Sequence, residues 1–196
     1  MNHLFLTVPT GAKVGLSTVS IGLVRALERQ GVRVGFFKPI AQPIGNEDTE
    51  DRSTQFIRSA TTLKPAEPIP LAEARQLISK NKIELLLENI VQRLEETAQT
   101  SAVVIVEGLL QTETFPMGAK LNKKLAQTLS AELILVSRLG DRSLDSLNRE
   151  IELSVSEFKG RVAGCVINKA DLSKVRESIH FDGISLDGLS KYIVEN

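Results

Sequence analysis

Five short runs of apolar residues, separated by stretches of helical character, constrain the fold more than any other feature of this sequence. The runs are rich in β-branched side chains and continuous rather than alternating in polarity, which is typical of strands buried on both faces of a parallel sheet. They lie at 4–8, 33–37, 102–106, 132–136 and 162–167.

The stretches between the runs carry the spacing of amphipathic helices. In 82–98 and in 142–158, apolar residues recur three and four positions apart, which places them on one face of a helix. Alternating strands and helices predict a doubly wound α/β fold, with a mainly parallel sheet and helices on both of its faces. Ligands of such sheets bind at the carboxyl ends of the strands, so the residues just after each run are the candidates for a site.

Composition narrows the classes of function. The chain has 196 residues, with 24 Lys and Arg against 24 Asp and Glu. This balance argues against a nucleic-acid partner, because nucleic-acid-binding proteins usually carry a basic excess. The single cysteine, Cys165, excludes a disulfide within the chain and is expected to be a buried, unreactive thiol.

Targeting signals are absent from the sequence pattern. No apolar run approaches the length of about 18 residues that a membrane helix needs, and the N-terminus lacks the layout of a signal peptide. We therefore expect no membrane contact and a cytoplasmic location. We also expect one domain over 1–196, with 183–196 as a terminal helix or a linker.

The turn after the first run, VPTGAKVGLS, has the composition of a phosphate-binding loop. Small residues let backbone amides approach phosphate oxygens at the start of a helix. The candidate ligand-binding residues of this turn are Thr10, Gly11, Lys13, Gly15, Ser17 and Thr18. Leu16 occupies the position of the usual lysine and cannot donate to a phosphate. The alternative is a tight turn whose glycines serve only packing.

Two charged residues follow the second and third runs. Lys38 comes directly after 33–37 and is expected to project at the ligand edge, where it could bind an anion. Glu107 follows the third run, and together with Ser17 it could hold Mg²⁺. The alternative for both charges is a solvated side chain at a strand end. The acidic residues of 45–54 precede a helix and suit its N-terminus.

The last run ends in VINKADLS, where Asn168, Lys169 and Asp171 match the N-K-x-D pattern that reads guanine in GTPases. Asn168 alone could instead face an adenine edge, and an ordinary exit from the strand is the third interpretation. His3 and His180 lie far apart without the cysteines or carboxylates of a metal centre, so neither is expected to be a ligand.

Three segments resemble the N-terminal domain of long bacterial phosphate acetyltransferases, which is similar to dethiobiotin synthetase and to amidotransferase-type P-loop proteins. They are VPTGAKVGLSTVSIGLVRALERQGVRVGFFKPIAQP, VIVEGL and AELILVSRLGD. The resemblance covers essentially the whole chain and is most specific over 7–43. It implies a P-loop NTPase-like fold and a place at the start of a longer enzyme, whose separate catalytic domain exchanges acetyl groups between coenzyme A and phosphate.

The resemblance also assigns roles to individual residues. The positions of the dethiobiotin synthetase site are kept by Ser17, Lys38, Glu107 and Asn168. Two positions depart from it: Pro9 replaces the first loop glycine and Leu16 replaces the lysine. Losing a contact of that kind commonly lowers a rate by about 10²–10³, which puts phosphoryl transfer in doubt but leaves binding through backbone amides open.

The leading hypothesis is a regulatory and assembly domain of phosphate acetyltransferase, without catalytic activity of its own. The resemblance implies that it binds a metabolite or a nucleotide, that it contacts its own downstream domains, and that it supports a homo-oligomer. The cofactor stays open, with a nucleotide and Mg²⁺ as one candidate. One alternative is a stand-alone ATP-dependent enzyme similar to dethiobiotin synthetase, with Lys13 replacing the missing lysine. The other is a guanine-nucleotide switch that uses Asp171.

Overall fold

All five apolar runs form strands of one sheet. The structure, a computed structural model, describes residues 3–43, 51–158 and 160–170. The strands are β1 (His3–Pro9), β2 (Val34–Phe37), β3 (Val103–Glu107), β4 (Glu132–Arg138) and β5 (Val162–Asn168). Their bounds differ from the predicted runs by at most two residues at either end.

Helices connect the strands. They are α1 (Leu16–Arg29), α2 (Arg52–Ala60), α3 (Leu71–Ser79), α4 (Ile83–Ala98), α5 (Gly118–Thr128) and α6 (Leu144–Phe158). Both stretches with predicted helical spacing are confirmed as α4 and α6. Asp51 caps α2 by accepting a hydrogen bond from the Thr54 amide at 3.1 Å. The expectation of an acidic helix start is confirmed for this residue, while Glu47, Asp48 and Glu50 lie outside the described residues.

The strand order is β2-β3-β1-β4-β5, and every pair is parallel. The chain first moves from β1 to one edge of the sheet, returns to β3, and then crosses to the other side of β1. The winding direction therefore reverses between β1 and β3. The crevice at the carboxyl ends of these two strands is the position where doubly wound sheets bind ligands.

Side chains that alternate along the strands pack against helices on opposite faces. In β3, Val104 and Val106 belong to the core that contains α3, α4, α5 and α6, whereas Ile105 belongs to the core that contains α1 and α2. We call these the α3–α6 face and the α1/α2 face. The predicted doubly wound fold with helices on both faces is confirmed.

One expectation about burial is wrong for an edge strand. The side chains of β5 from Val162 to Ile167 are only partly buried, and among the described residues β5 pairs with β4 alone. Within the described ranges, no helix is long and apolar enough to cross a membrane. Residues 183–196 lie outside the described part of the chain, so the single domain over 1–196 stays a prediction.

Candidate functional site

Three polar side chains form a row across the carboxyl edge of the sheet, on the α1/α2 face. Thr7 of β1 lies opposite Glu107 of β3. The register between β2 and β3 runs up to Phe37, so that Lys38, the next residue, lies beside Glu107. Parallel strand register, rather than any loop, therefore brings the two predicted charges together.

Lys38 and Glu107 form a buried ion pair. The Nζ atom of Lys38 lies 2.8 Å from Oε1 of Glu107, and their side chains are 3% and 1% exposed. The same ammonium donates to the carbonyl of Gly108 at 3.0 Å. The alternative interpretation, in which both charges are solvated side chains at strand ends, is therefore wrong.

Two serines complete the surroundings of this carboxylate. Ser53, in the first turn of α2, donates to Oε1 of Glu107 at 2.7 Å, and Ser17, in the first turn of α1, donates to it at 3.2 Å. The two hydroxyl oxygens are 2.7 Å apart. The other carboxylate oxygen, Oε2, is buried and has no hydrogen-bond partner among the described residues.

Two further hydroxyls extend this polar layer towards β1. Ser20 lies one helical turn after Ser17, and its Oγ is 2.9 Å from the hydroxyl of Thr7. Sequence reasoning missed Thr7, Ser20 and Ser53. The spacing of Ser17 and Ser20 on one helix face was a usable signal, whereas nothing in the sequence connects Ser53 with β3.

Gly108 is required because backbone approaches it closely. A Cβ atom at this position would lie 2.4 Å from the carbonyl oxygen of Thr7. The turn is held beyond it by Asn122 of α5, which accepts from the amide of Leu109 and donates to its carbonyl, both at 2.8 Å. These contacts fix the backbone next to Glu107.

Leu16, at the position of the missing lysine, is buried at 3% exposure. It belongs to a small apolar cluster on the α1/α2 face whose buried members are Val14, Leu16, Val19 and Val136. The side chain therefore packs inside the corner between β1 and α1 instead of extending towards a bound anion.

The loop itself has left-handed backbone at two positions. Lys13 has a φ of 56° and Gly15 a φ of 82°. Gly15 is the N-cap of α1 and has no side chain to accept a hydrogen bond, so the amides that begin the helix have no acceptor within it. Gly11, Lys13 and Thr18 are exposed, while Thr10 and Ser17 are partly buried.

Asn168 ties the end of β5 to this loop. Its Nδ2 donates to the carbonyl of Val14 at 2.9 Å, and its Oδ1 accepts from the amide of Lys169 at 2.9 Å. A Cβ atom at Gly15 would lie 2.2 Å from that Nδ2, so the glycine is needed for this contact. Both polar ends of the Asn168 amide are engaged with backbone. Asp171 lies outside the described residues.

A second polar cluster holds the start of the loop on the side of α6. Thr10 donates to Glu150, which also pairs with Arg142 and accepts from Ser137 at 3.2 Å. Burial would raise the pKa of Glu150, but hydrogen bonds from Thr10 and Arg142, together with the charge of Arg142, outweigh it. The pKa of Glu150 is thus held below its ordinary value.

Cys165 is partly buried in β5. Burial, with a smaller contribution from the negative charge of Glu150, raises the pKa of its thiol to about 12. Since the thiolate is the reactive form, this supports the prediction of an unreactive thiol.

A cavity of about 340 Å³ opens beside the loop on the α3–α6 face. It is lined by the end of β1, by the segments that follow β1 and β3, including Gly11 and Gln111, and by Ser154 and Phe158 of α6. It therefore lies at the reversal point of the sheet. Its size falls within the range of small-molecule sites.

Comparison with known proteins places this arrangement in a family. The family model described as an AAA domain matches residues 3–186. The chain belongs to this AAA domain family. Phosphate acetyltransferase of Salmonella typhimurium is 39% identical over 173 residues, which cover 86% of this chain and 24% of the relative. The chain thus spans about a quarter of the length of the curated relatives it matches. The resemblance to the P-loop-like N-terminal domain of phosphate acetyltransferases is confirmed.

Solved structures confirm the P-loop NTPase-like fold of this AAA domain. A duf1611 family protein from Anabaena variabilis matches with a TM-score of 0.56 and 18% identity, over 90% of this chain and 49% of that one. The signal recognition particle receptor FtsY from Elizabethkingia anophelis matches with a TM-score of 0.52 and 12% identity, over 85% and 50% of the two chains. At these identities the likeness concerns the fold alone.

The predicted Mg²⁺ ligands Ser17 and Glu107 are in contact, but the Lys38 ammonium already pairs with Glu107. Mg²⁺ in proteins is bound octahedrally through one or two carboxylates, substrate phosphates and waters. Here Glu107 already accepts from the Lys38 ammonium at 2.8 Å, and the described residues contain no group of three or more His, Cys, Asp or Glu able to hold a metal. Within the described part of the chain, these residues therefore do not by themselves fit a resident divalent cation.

Proposed function

We propose that this AAA domain is the regulatory and assembly domain of a phosphate acetyltransferase, and that it binds a metabolite or nucleotide without turning it over. The parent reaction would be acetyl-CoA + phosphate = CoA + acetyl phosphate, performed by a catalytic domain elsewhere in a longer chain. The similarity to phosphate acetyltransferases supports the parent. The observation that carries the lack of turnover is the burial of Leu16 at the lysine position.

With Leu16 at the lysine position, the corner between β1 and α1 lacks the positive charge that phosphoryl transfer needs there. Catalysis of that transfer consists almost entirely of positioning and electrostatic stabilisation of the phosphates. A buried leucine supplies neither, and Lys13, which could replace the lysine, is exposed on the loop. The amides at the start of α1 still favour an anion. The cavity of about 340 Å³, which lies beside Thr10 and Gly11 on the α3–α6 face, has room for a small metabolite.

Deletion from a full-length parent tests the regulatory role. A phosphate acetyltransferase that begins with this chain should be compared with the same enzyme lacking it, for basal acetyl transfer, for response to metabolites such as NADH and pyruvate, and for oligomer mass. We expect effector response or assembly to change more than basal chemistry. Complete loss of basal acetyl transfer in a variant that still assembles would contradict a purely regulatory role.

Nucleotide assays separate this proposal from the two alternatives. Calorimetry and hydrolysis assays with ATP and GTP, with and without Mg²⁺, should show no turnover by the isolated chain. Rapid ATP hydrolysis that Glu107→Ala abolishes would instead indicate an ATP-dependent enzyme. A preference for GTP that Asp171→Asn removes would indicate a guanine-nucleotide switch. A cytoplasmic location and contact with downstream domains and further copies of the chain belong to the same proposal.

A further inference from the structure

The oxygen atoms around Glu107 have the chemistry of a small hard-cation site. The hydroxyls of Ser17 and Ser53 both donate to Oε1 of Glu107. This oxygen and the carbonyl of Gly108 lie 2.8 and 3.0 Å from Nζ of Lys38. Carboxylate, hydroxyl and carbonyl oxygens are the ligands that hard divalent cations prefer.

In this chain, a side chain supplies the positive charge beside these oxygen atoms. The Lys38 ammonium donates to Oε1 of Glu107 at 2.8 Å and to the carbonyl of Gly108 at 3.0 Å. It contacts an anionic oxygen and a neutral one, as a bound metal ion would. We propose that Lys38 is a tethered replacement for the divalent cation, so that the Glu107 site excludes Mg²⁺ while Lys38 is present.

Electrostatics explains the exclusion. The Lys38–Glu107 pair is neutral and almost fully buried, with side-chain exposures of 3% and 1%. A divalent ion that entered next to it would be repelled by the ammonium, with no second carboxylate of the described residues in contact with the pair, and at low dielectric this repulsion is strong. The register of β2 and β3 also places the backbone of Lys38 beside Glu107.

Removing the ammonium should turn the same oxygen atoms into a metal site. In Lys38→Met, neither oxygen of Glu107 would have an ion-pair partner, and the two serine hydroxyls would remain beside it. A divalent ion would then offset an otherwise uncompensated buried carboxylate. This inference does not depend on what the parent protein does.

Mn²⁺ binding to the 196-residue chain tests the proposal. Free Mn²⁺ can be followed by its electron paramagnetic resonance signal, and the thermal midpoint can be measured with and without the ion. We expect Lys38→Met to bind Mn²⁺ about tenfold or more tightly than the unmodified chain, and to gain thermal stability from it. Lys38→Arg keeps the positive charge and should bind no better than the unmodified chain.

Two control variants test whether the gain in Mn²⁺ binding arises at Glu107. Lys38→Met/Glu107→Gln should lose the gain in binding, and Lys80→Met, which changes an exposed lysine, should not produce one. If Lys38→Met is unfolded without metal, refolding on addition of Mn²⁺ supports the proposal, and failure to refold overturns it. Glu107-dependent binding of Mn²⁺ to the unmodified chain as tight as that to Lys38→Met would also overturn it.

Discussion

Two corners at the same edge of the sheet deal with charge in opposite ways. At the corner between β1 and α1, the position of the phosphate lysine is a leucine that packs against apolar neighbours. At the corner between β2 and β3, a lysine and a glutamate are kept, and they neutralise each other inside the protein. The comparison teaches that charged side chains can remain at a ligand edge inside the protein when strand register supplies each with a partner.

Breaking the ion pair is expected to have the largest effect. Lys38→Met leaves Glu107 buried without a counter-charge, which typically costs about 3–5 kcal/mol. Urea unfolding measures the loss. The double variant Lys38→Met/Glu107→Leu should recover most of it, because neither buried charge remains. A loss below about 1 kcal/mol in the single variant, as exposed pairs give, would show that the pair is solvated.

The apolar corner should respond to lost volume rather than to charge. Leu16→Ala leaves a void beside Val14 and Val136, and buried Leu→Ala changes cost about 2–5 kcal/mol. Leu16→Met nearly conserves volume and should cost less than about 1.5 kcal/mol. Denaturant unfolding of both variants checks this. Equal small effects would mean that Leu16 is not packed in the corner.

Gly15→Ala tests the contact between the loop and β5. A left-handed alanine costs about 1–2 kcal/mol, and its Cβ would also displace Asn168, whose Nδ2 would be only 2.2 Å away. Gly22→Ala is the matched control, since Gly22 lies inside α1 with nothing within 4 Å of its Cβ position. The control should be stabilised by up to about 1 kcal/mol. Thermal or urea unfolding should therefore give opposite signs for the two variants.

The smallest expected effect concerns pH. The pKa of Glu150 is lowered in the folded chain. Its contribution to the free energy of unfolding is therefore fully present above the pKa of an unfolded glutamate and is lost as the pH falls through the lowered value. Glu150→Gln should therefore flatten the loss of stability below about pH 4.3, by less than about 1 kcal/mol because the pair is partly exposed.

Thr10 supplies the control for this pH dependence. Thr10→Ser keeps the hydroxyl that donates to Glu150 and should keep the acid-dependent loss, whereas Thr10→Val should reduce it. Urea unfolding at pH values from 3 to 7 measures all three variants. If the acid-dependent loss of stability is unchanged in Glu150→Gln, the loss arises from other carboxylates.

The strands and their order along the chain could be predicted from the sequence, because each strand is a continuous run of apolar residues. Helix α5, which begins at Gly118, was not singled out from the sequence. Lys38 and Glu107 were recognised as candidates because each directly follows a strand. Ser53 was missed, since its contact with Glu107 spans 54 positions and depends on how α2 packs on the sheet.

By itself, the sequence determined a doubly wound P-loop-like fold and the loss of the loop lysine at Leu16, because apolar periodicity and residue identity are local properties of the chain. Only the tertiary structure decided that Lys38 is buried and paired, that Asn168 holds the loop, and that Glu150 anchors Thr10. These depend on strand register and helix packing, which bring together residues far apart in the chain and set the electrostatic environment of each charge.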